Sequence, residues 1–354
     1  MKSGVSIVIP TWNGLELLQQ FLPSVIRAAQ HYYSPTEIII VDDGSEDDTV
    51  GWLTGEGFVE NQNPETAKSV EEAAPRTVLK FLRNETNRGF GETCNRGIEA
   101  AVYPLVFLLN NDVEVALDSI SPLVENFTDI NVFSAHCHVF DFESRRECGT
   151  GKSGSFSHGF IRVHRSYIPV QAIELKGKRQ ALYSMFASGG SAIFDRQKFL
   201  EIGGFESLLL PAYWEDVDIS YRAWKRGYTI LYEPRSIVHH RVSSTMRKVN
   251  QRRIRRIQQR NRIIYHWINL HDGRLMASHA LWLMLLALTA PLRLQFGFLL
   301  SVLAALKRLP EIRKRRREEK ALAKRSDRDL FSLFASLEHR ADVFAYDDPS
   351  ELKS

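Results

Sequence analysis

The chain has 354 residues, 44% hydrophobic and 25% charged. This is an ordinary globular balance that excludes global disorder and fits one large α/β domain with an appendage. Three cysteines, Cys94, Cys137 and Cys148, are an odd number without metal-type spacing, which argues against a disulfide framework and for a reducing compartment. The net charge of +4 conceals an asymmetry: between Arg247 and Arg325 there are 20 Lys and Arg against 4 Asp and Glu, so this segment carries +16 and the remainder −12. An anionic partner, a membrane surface or a nucleic acid, is therefore expected for the C-terminal part only.

The start, Met1-Lys2-Ser3-Gly4, runs into a short strand pattern rather than a signal peptide, so a cytoplasmic location is expected. Val5 to Pro10 reads as a strand, Thr11-Trp12-Asn13-Gly14 as a polar turn, and the next segment as a helix with Leu15, Leu18, Leu22, Val25 and Ile26 on one face. Glu37 to Val41 is a second strand that ends in Asp42-Asp43-Gly44-Ser45. A right-handed crossover makes the two strands parallel and brings Thr11, Asn13, Asp42 and Asp43 to one edge. The paired carboxylates suit either a helix cap, since Ser45 and Asp47 precede a short helix, or an acceptor for the ring N–H of a nucleotide base.

Residues 54 to 76 are polar and acidic and read as a surface insertion. A third strand, Val78 to Leu82, leads through Asn84 to Gly91 into a helix from about Glu92 to Ala101, which carries Asn95 and Gly97. A glycine-rich turn at a helix start exposes amide donors that suit a phosphate, and Arg88 beside Gly89 adds a fork of donors; the alternative is a plain connection. Leu105 to Leu109 then runs straight into Asn110-Asn111-Asp112. That pattern suits a buried strand with a ligand site at its tip, or a turn with Asx hydrogen bonds.

Val132 to Val139 is a further strand, and residues 141 to 180, with Gly149, Gly151, Gly154 and Gly159, read as an irregular substrate loop. Ser188-Gly189-Gly190-Ser191 and Gly203-Gly204-Phe205-Glu206 follow, then Tyr213-Trp214-Glu215-Asp216-Val217-Asp218. Acidic residues are favoured in a first helical turn, but three carboxylates in four positions exceed what a cap needs. Residues 247 to 262 form a basic amphipathic pattern; Ala280 to Ala290 and Leu294 to Leu306 are apolar, separated by Pro291 and Arg293. Neither run reaches the roughly 18 to 20 residues a spanning helix requires. With Lys307 to Arg317 they read as helices lying in a membrane interface on anionic lipid, the alternative being a helical oligomer or core contact. The expected organisation is an α/β domain over 1–245, a basic and apolar helical region over 246–325, and a loosely ordered tail over 326–354.

Six motifs in one order, Ile-Pro-Thr-Trp-Asn-Gly, Val-Asp-Asp-Gly-Ser, Asn-Arg-Gly-Phe-Gly, Leu-Asn-Asn-Asp-Val, Gly-Gly-Phe-Glu and Trp-Glu-Asp-Val-Asp, resemble a family 2 glycosyltransferase of the rhamnosyltransferase-like kind over roughly residues 5 to 245. The resemblance implies a GT-A fold, a Rossmann-like, mostly parallel sheet flanked by helices. It implies an inverting, metal-dependent transfer of a sugar, rhamnose among the candidates, from a nucleoside-diphosphate donor to a hydroxyl of a growing cell-surface glycan, which the membrane-like tail leads us to expect is lipid-linked. On this resemblance Thr11, Asn13, Asp42 and Asp43 bind the base, while Arg88, Gly89, Asn95, Asn111 and Asp112 complete the donor site. Asn110-Asn111-Asp112 stands where the family often has Asp-x-Asp, so Asp112 is the principal ligand for Mg2+ or Mn2+, with His239 near the metal or diphosphate. Asp216 is the general base; Glu215 orients the acceptor or competes for that role, Trp214, Gly189 and Gly190 line the acceptor side, and Asp218 and Arg222 support them. The expected place of action, read from the basic and apolar tail, is the inner face of the cell membrane. Two other classes compete with this reading: a nucleotidyltransferase needs a basic glycine loop after the first strand, where Thr11-Trp12-Asn13-Gly14 offers none, and a nucleic-acid binder would use the Arg-rich helix, which lacks a reading module.

Overall fold

The computed structural model describes residues 3–60, 77–169, 182–241 and 250–346; most of the expected insertion, 61–76, and the first basic residues, Arg247 and Lys248, lie outside them. Strand β1, Val5–Thr11, is buried at every position. Helix α1, Leu15–His31, buries Leu18, Phe21, Leu22 and Val25 and returns the chain to β2, Thr36–Asp42. The two strands are parallel with Thr11 opposite Asp42, as the crossover rule requires. Helix α2, Thr49–Gly55, and the short β3, Val59–Glu60, precede β4, Thr77–Arg83, which lies parallel to β2. Helix α3, Phe90–Ala100, then leads to β5, Leu105–Leu109, parallel to β1 on its other side. A Cβ on Gly97 of α3 would stand 2.4 Å from Val8, so this helix lies close on the sheet only because that position is bare.

The chain continues through β6, Val113–Val115, α4, Ile120–Glu125, β7, Val132–Asp141, β8, Glu147–Gly149, β9, Gly151–Ser157, and β10, Phe160–Pro169. Next come β11, Ser191–Asp195, α5, Arg196–Ile202, α6, Glu215–Lys225, and β12, Thr229–His240. The large sheet runs β3-β4-β2-β1-β5-β11-β7-β12-β6, with β8 paired to β7. Its β3 to β5 portion is parallel, and β11 enters antiparallel between β5 and β7.

Residues 141 to 169, expected as irregular loop, are largely strand. Gly159, with φ 77°, does form the turn between β9 and β10, but Gly151 and Gly154 are not turn signals: a Cβ on Gly151 would meet the Tyr167 ring at 2.2 Å, and one on Gly154 would meet Met185 at 2.8 Å. Large side chains cross these strands where the glycines leave room.

The chain forms two compact units: Met1–Thr150, Ala187–Phe205 and Leu231–Ser244 make the first, and Gly151–Phe186, Glu206–Ile230 and Thr245–Ser354 the second. The second holds a small antiparallel sheet, β9 and β10 with β13, Val343–Tyr346. Its helices besides α6 are α7, Gln251–Asn269, α8, Gly273–Thr289, α9, Phe296–Lys307, α10, Leu309–Leu322, and α11, Asp327–Glu338. Phe160, Ile263, Ile264, Ile268, Leu283 and Ile312 share one of its cores.

The expectation of a loose tail beyond Ser326 is corrected by α11 and β13. Leu330, Phe334 and Leu337 recur at helical spacing and are buried, and Ser326 with Asp329 closes a capping box. Asp327 is fully buried and accepts from Tyr221 Oη at 2.7 Å, Lys225 Nζ at 2.7 Å and the backbone N–H of His271 at 2.8 Å. Asp327 is thus a buried anchor rather than part of a loose tail. No helix among the described residues is long and apolar enough to cross a membrane.

Candidate active site

The first group of candidate residues stands where β1, β2 and β5 end. Asp42 is fully buried, and burial raises its carboxyl pKa against the hydrogen bonds it accepts from Ser45. Asn13, with φ 47°, donates its N–H to Ser45 Oγ at 2.8 Å and accepts from the Glu46 N–H at 2.7 Å. It therefore clamps the β1 turn to the β2 turn. Asp43 Oδ1 accepts from Asn84 Nδ2 at 2.7 Å and the Arg88 N–H at 2.9 Å, and Oδ2 accepts from the Gly89 N–H at 2.9 Å. Three of about four lone-pair positions are thus used, so Asp43 shapes the glycine-rich turn. The Arg88 side chain is half exposed and pairs with Glu92 at 3.0 Å. Asn95 points elsewhere: its amide accepts from the Phe205 N–H at 2.9 Å and donates to the Phe205 carbonyl at 3.0 Å, fixing the Gly203-Gly204 turn.

At the tip of β5, Asn111 Nδ2 donates to Thr11 Oγ1 at 2.9 Å and ties β5 to β1. Asn110 packs on Gly190, where a Cβ would fall 2.6 Å from its side chain; Gly189 is buried beside it. Asp112 is 6% exposed, and its Oδ1 lies 3.0 Å from Nε2 of His240. The resemblance points to the neighbouring His239, but the register of β12 on β6 sets His239 opposite Glu114, and its Nδ1 lies 3.5 Å from that carboxylate. Adjacent strand residues point to opposite faces, so only one of the two imidazoles reaches Asp112, and it is His240. Burial, then the charge of Arg145, lowers the His239 pKa.

Asp112 and His240 offer one carboxylate and one imidazole at a single point. Among the described residues no cluster of three or more His, Cys, Asp or Glu is arranged for a metal. The carboxylate is a ligand suited to Mg2+ or Mn2+, oxygen-seeking cations that complete their shells with substrate phosphate and water; the imidazole stands beside it.

The second group lies in the other unit, at the start of α6. Tyr213 and Trp214 carry φ of 73° and 75°, a left-handed conformation costly for large side chains, found at sites that the surroundings over-determine. Those surroundings are on α7. The Asn261 amide donates to the carbonyls of Leu209, of Ala212 at 2.9 Å and of Tyr213 at 3.0 Å, and Arg260 Nη2 donates to that of Leu210. Trp214 packs on Tyr265 with ring centroids 5.3 Å apart, beneath the Arg262 guanidinium. Glu215 is buried with no hydrogen-bond partner for Oε2, and burial, then the Asp216 charge, pushes its pKa up to about 8. Asp216 is half-buried, and its Oδ1 accepts from the Val217 N–H at 2.7 Å. Asp218 is fully buried, accepting from Arg222 Nε at 2.7 Å and Asn269 Nδ2 at 2.6 Å, so it fastens α6 to α7.

Residues 106–325 match the model of glycosyl transferase family group 2, and residues 6–55 that of glycosyl transferase family 2. The chain belongs to glycosyl transferase family group 2. Among curated proteins, this glycosyltransferase is 24% identical over 254 residues to the poly-beta-1,6-N-acetyl-D-glucosamine synthase of Staphylococcus epidermidis, and 22% identical to that of Staphylococcus aureus strain COL. Each alignment covers 71% of this chain and 53% of the relative, so the chain spans about half the length of those proteins. Solved structures with a similar fold include GalNAc-T7 with UDP, GalNAc and Mn2+, at 20% identity and TM-score 0.56, covering 77% of this chain and 49% of that one. The mannosyltransferase PcManGT from Pyrobaculum calidifontis, with GDP-Man and Mn2+, aligns at 15% identity and TM-score 0.52 over 95% of this chain and 85% of that one. S. aureus TarS in complex with UDP-GlcNAc aligns at 14% identity and TM-score 0.51, over 94% and 90%. The fold of this glycosyltransferase is GT-A.

Three residues of the glycosyltransferase with evident work escaped the sequence reading. His240 was hidden by the unknown phase of its strand. Asn84 is buried and donates to Asp43 from across a turn. Asn261 sits in the Arg-rich segment whose composition drew attention to its charge. The family match running through Arg325 was the kind of signal that could have directed attention to α7.

Proposed function

We propose that this glycosyltransferase moves a sugar from a nucleoside-diphosphate donor to a hydroxyl of a growing glycan, by one displacement that inverts the anomeric configuration. The observation that supports it is the contrast between two adjacent carboxyls, Glu215 with its pKa raised by burial and Asp216 partly exposed at the positive end of α6. Asp216 then takes the acceptor proton as the hydroxyl oxygen attacks the anomeric carbon, and the bond to the leaving diphosphate breaks. Glu215, neutral at pH 7, serves as a hydrogen-bond donor toward the acceptor. Asp42, Thr11 and Asn13 face the base, with Asp43 shaping the Arg88-Gly89 turn for the diphosphate. Asp112 and His240 would hold Mg2+ or Mn2+, whose chemistry is to neutralise charge on the departing diphosphate. The relatives that synthesise poly-beta-1,6-N-acetyl-D-glucosamine support a glycan acceptor, which we take to be lipid-linked at an anionic membrane face; rhamnose rests on the motif resemblance and is one donor to test.

The deciding experiment is a panel of UDP-, GDP- and dTDP-sugars, including dTDP-rhamnose, with and without Mn2+, read by thermal shift and by release of nucleoside diphosphate. One donor should raise the melting temperature in a Mn2+-dependent way, because a ligand of the native state stabilises by mass action. Release of pyrophosphate, or no stabilisation by any nucleotide, would overturn the reading.

A further inference from the structure

Helices α8 and α9 are apolar on two sides, and among the described residues only one side of each is packed. On α8, His279 and Leu283 are buried and Trp282 and Leu286 pack on the core, while Leu281, Met284, Leu285 and Leu288 are exposed. On α9, Ser301 and Ala305 are buried and Phe298 and Val302 pack inward, while Phe296, Leu300, Leu303 and Leu306 are exposed. Each exposed set recurs every three or four residues, so each is one continuous face. Between the helices Leu292 and Leu294 are 86% and 80% exposed. A patch of this extent on a soluble surface marks an interaction site rather than incidental exposure.

The charges around the patch identify its occupant. No Asp or Glu stands between Gly273 and Pro310. The Arg-rich start of α7 borders the patch, since Ser301 Oγ of α9 donates to the Arg256 carbonyl at 3.1 Å and a Cβ on Gly297 would lie 3.5 Å from Arg256 Cγ. Arg252, Arg253 and Arg255 on that stretch are exposed, as are Arg293 in the corner and Lys307 at the end of α9. Apolar side chains enclosed by arginines match the boundary layer of a bilayer, with acyl chains beneath anionic headgroups. A nucleic acid would leave the leucines uncovered, and a second copy would oppose arginines to arginines.

We infer that the corner between α8 and α9 enters one leaflet of an anionic bilayer, Leu292 and Leu294 leading, with the α7 arginines on the headgroups. The helices have 17 and 12 residues, too short for the roughly 20 a crossing requires, so the attachment is to one face. This deepens the membrane-face acceptor proposed above but needs no donor or acceptor to be observed, so failure of transfer and failure of docking are separable.

The test is flotation of the full chain with phosphatidylcholine vesicles, with vesicles containing phosphatidylglycerol, and without vesicles. Wild type should float with the anionic vesicles and about tenfold less with the neutral ones. The double variant Leu292→Glu/Leu294→Glu should lose about tenfold of the anionic-vesicle binding, and Arg252→Gln/Arg253→Gln/Arg255→Gln should lose the preference for anionic lipid. All three proteins should share one far-ultraviolet spectrum and one rate of nucleoside-diphosphate release in solution. Absence of wild-type flotation, or flotation that neither variant alters, would overturn the inference. So would a dimer in sedimentation that Leu292→Glu/Leu294→Glu dissolves while vesicles leave it untouched.

Discussion

The side-chain amide of Asn261 holds the carbonyl oxygen of Tyr213 at 3.0 Å, just ahead of the helix that carries Glu215 and Asp216. Because Tyr213 and Trp214 are left-handed, removing this grip lets the loop relax toward ordinary backbone and displaces both carboxyls. Asn261→Ala should therefore lower kcat by about 10- to 100-fold, the scale on which small misplacements of a catalytic group are felt, with donor affinity unchanged. Asn261→Asp should behave alike, since a carboxylate has no N–H to donate. Initial rates beside donor calorimetry check this; wild-type kcat in either variant would show the clamp to be idle.

Asp112→Ala should abolish Mn2+-dependent stabilisation by nucleoside diphosphate, and His240→Ala should weaken it. His239→Ala should leave it near wild type, since His239 sits opposite Glu114. Mn2+ titrations of the melting temperature at fixed nucleoside diphosphate compare the three directly. A deficit in His239→Ala equal to that in His240→Ala would mean that the two imidazoles are not separated by the strand face.

Asp216→Asn should cut turnover by about 10²-fold or more, the usual scale for a positioned general base, and leave donor binding intact. Glu215→Gln should keep most activity at pH 7, because an amide resembles a neutral carboxyl in shape and in its ability to donate. If Glu215→Gln is the dead variant and Asp216→Asn turns over normally, the base is one residue earlier than proposed.

The buried Glu215 carboxyl also predicts a pH signature of stability. Its pKa rises from the ordinary 4.5 to about 8 on folding, so the native state binds the extra proton between those values. The stabilisation is complete below pH 4.5 and is lost as pH rises toward 8. Glu215→Gln cannot ionise, so its melting temperature should exceed that of wild type increasingly from pH 5 to pH 8.5, by an amount equivalent to about 2 to 4 kcal/mol. Thermal melts in a pH series measure the gap; parallel profiles would mean that Glu215 is ionised in the native protein at neutral pH.

The parallel half of the sheet was readable in advance because β1, β2 and β5 are near-continuous apolar runs that end in polar residues, and burial on both faces leaves no other pattern. The ends of those strands bring Thr11, Asp42 and Asn111 to one edge for the same reason. What escaped depends on contacts remote in sequence. Val238-His239-His240 reads the same in either strand phase, and only pairing with β6 decides which imidazole meets Asp112. Asp43 looked like a second base ligand until the amides of Arg88 and Gly89 were found on it. Gly151 and Gly154 imitate loop residues because nothing nearby in sequence announces Tyr167 and Met185. Asn261 carries no local mark at all, its three carbonyl partners lying about 50 positions upstream in the chain.

Strand β11 lies between β5 and β7 in the sheet although it follows β7 in the chain. As the polypeptide emerges during synthesis, β4, β2, β1 and β5 can pair among themselves from neighbouring sequence, but β7 has no place against β5 until Ser191–Asp195 has been made. Until then β5 presents an open, wholly apolar edge of the kind that recruits other chains. This late, long-range closure is expected to slow assembly of the sheet and to leave the nascent chain prone to aggregate after Leu109 and before Asp195.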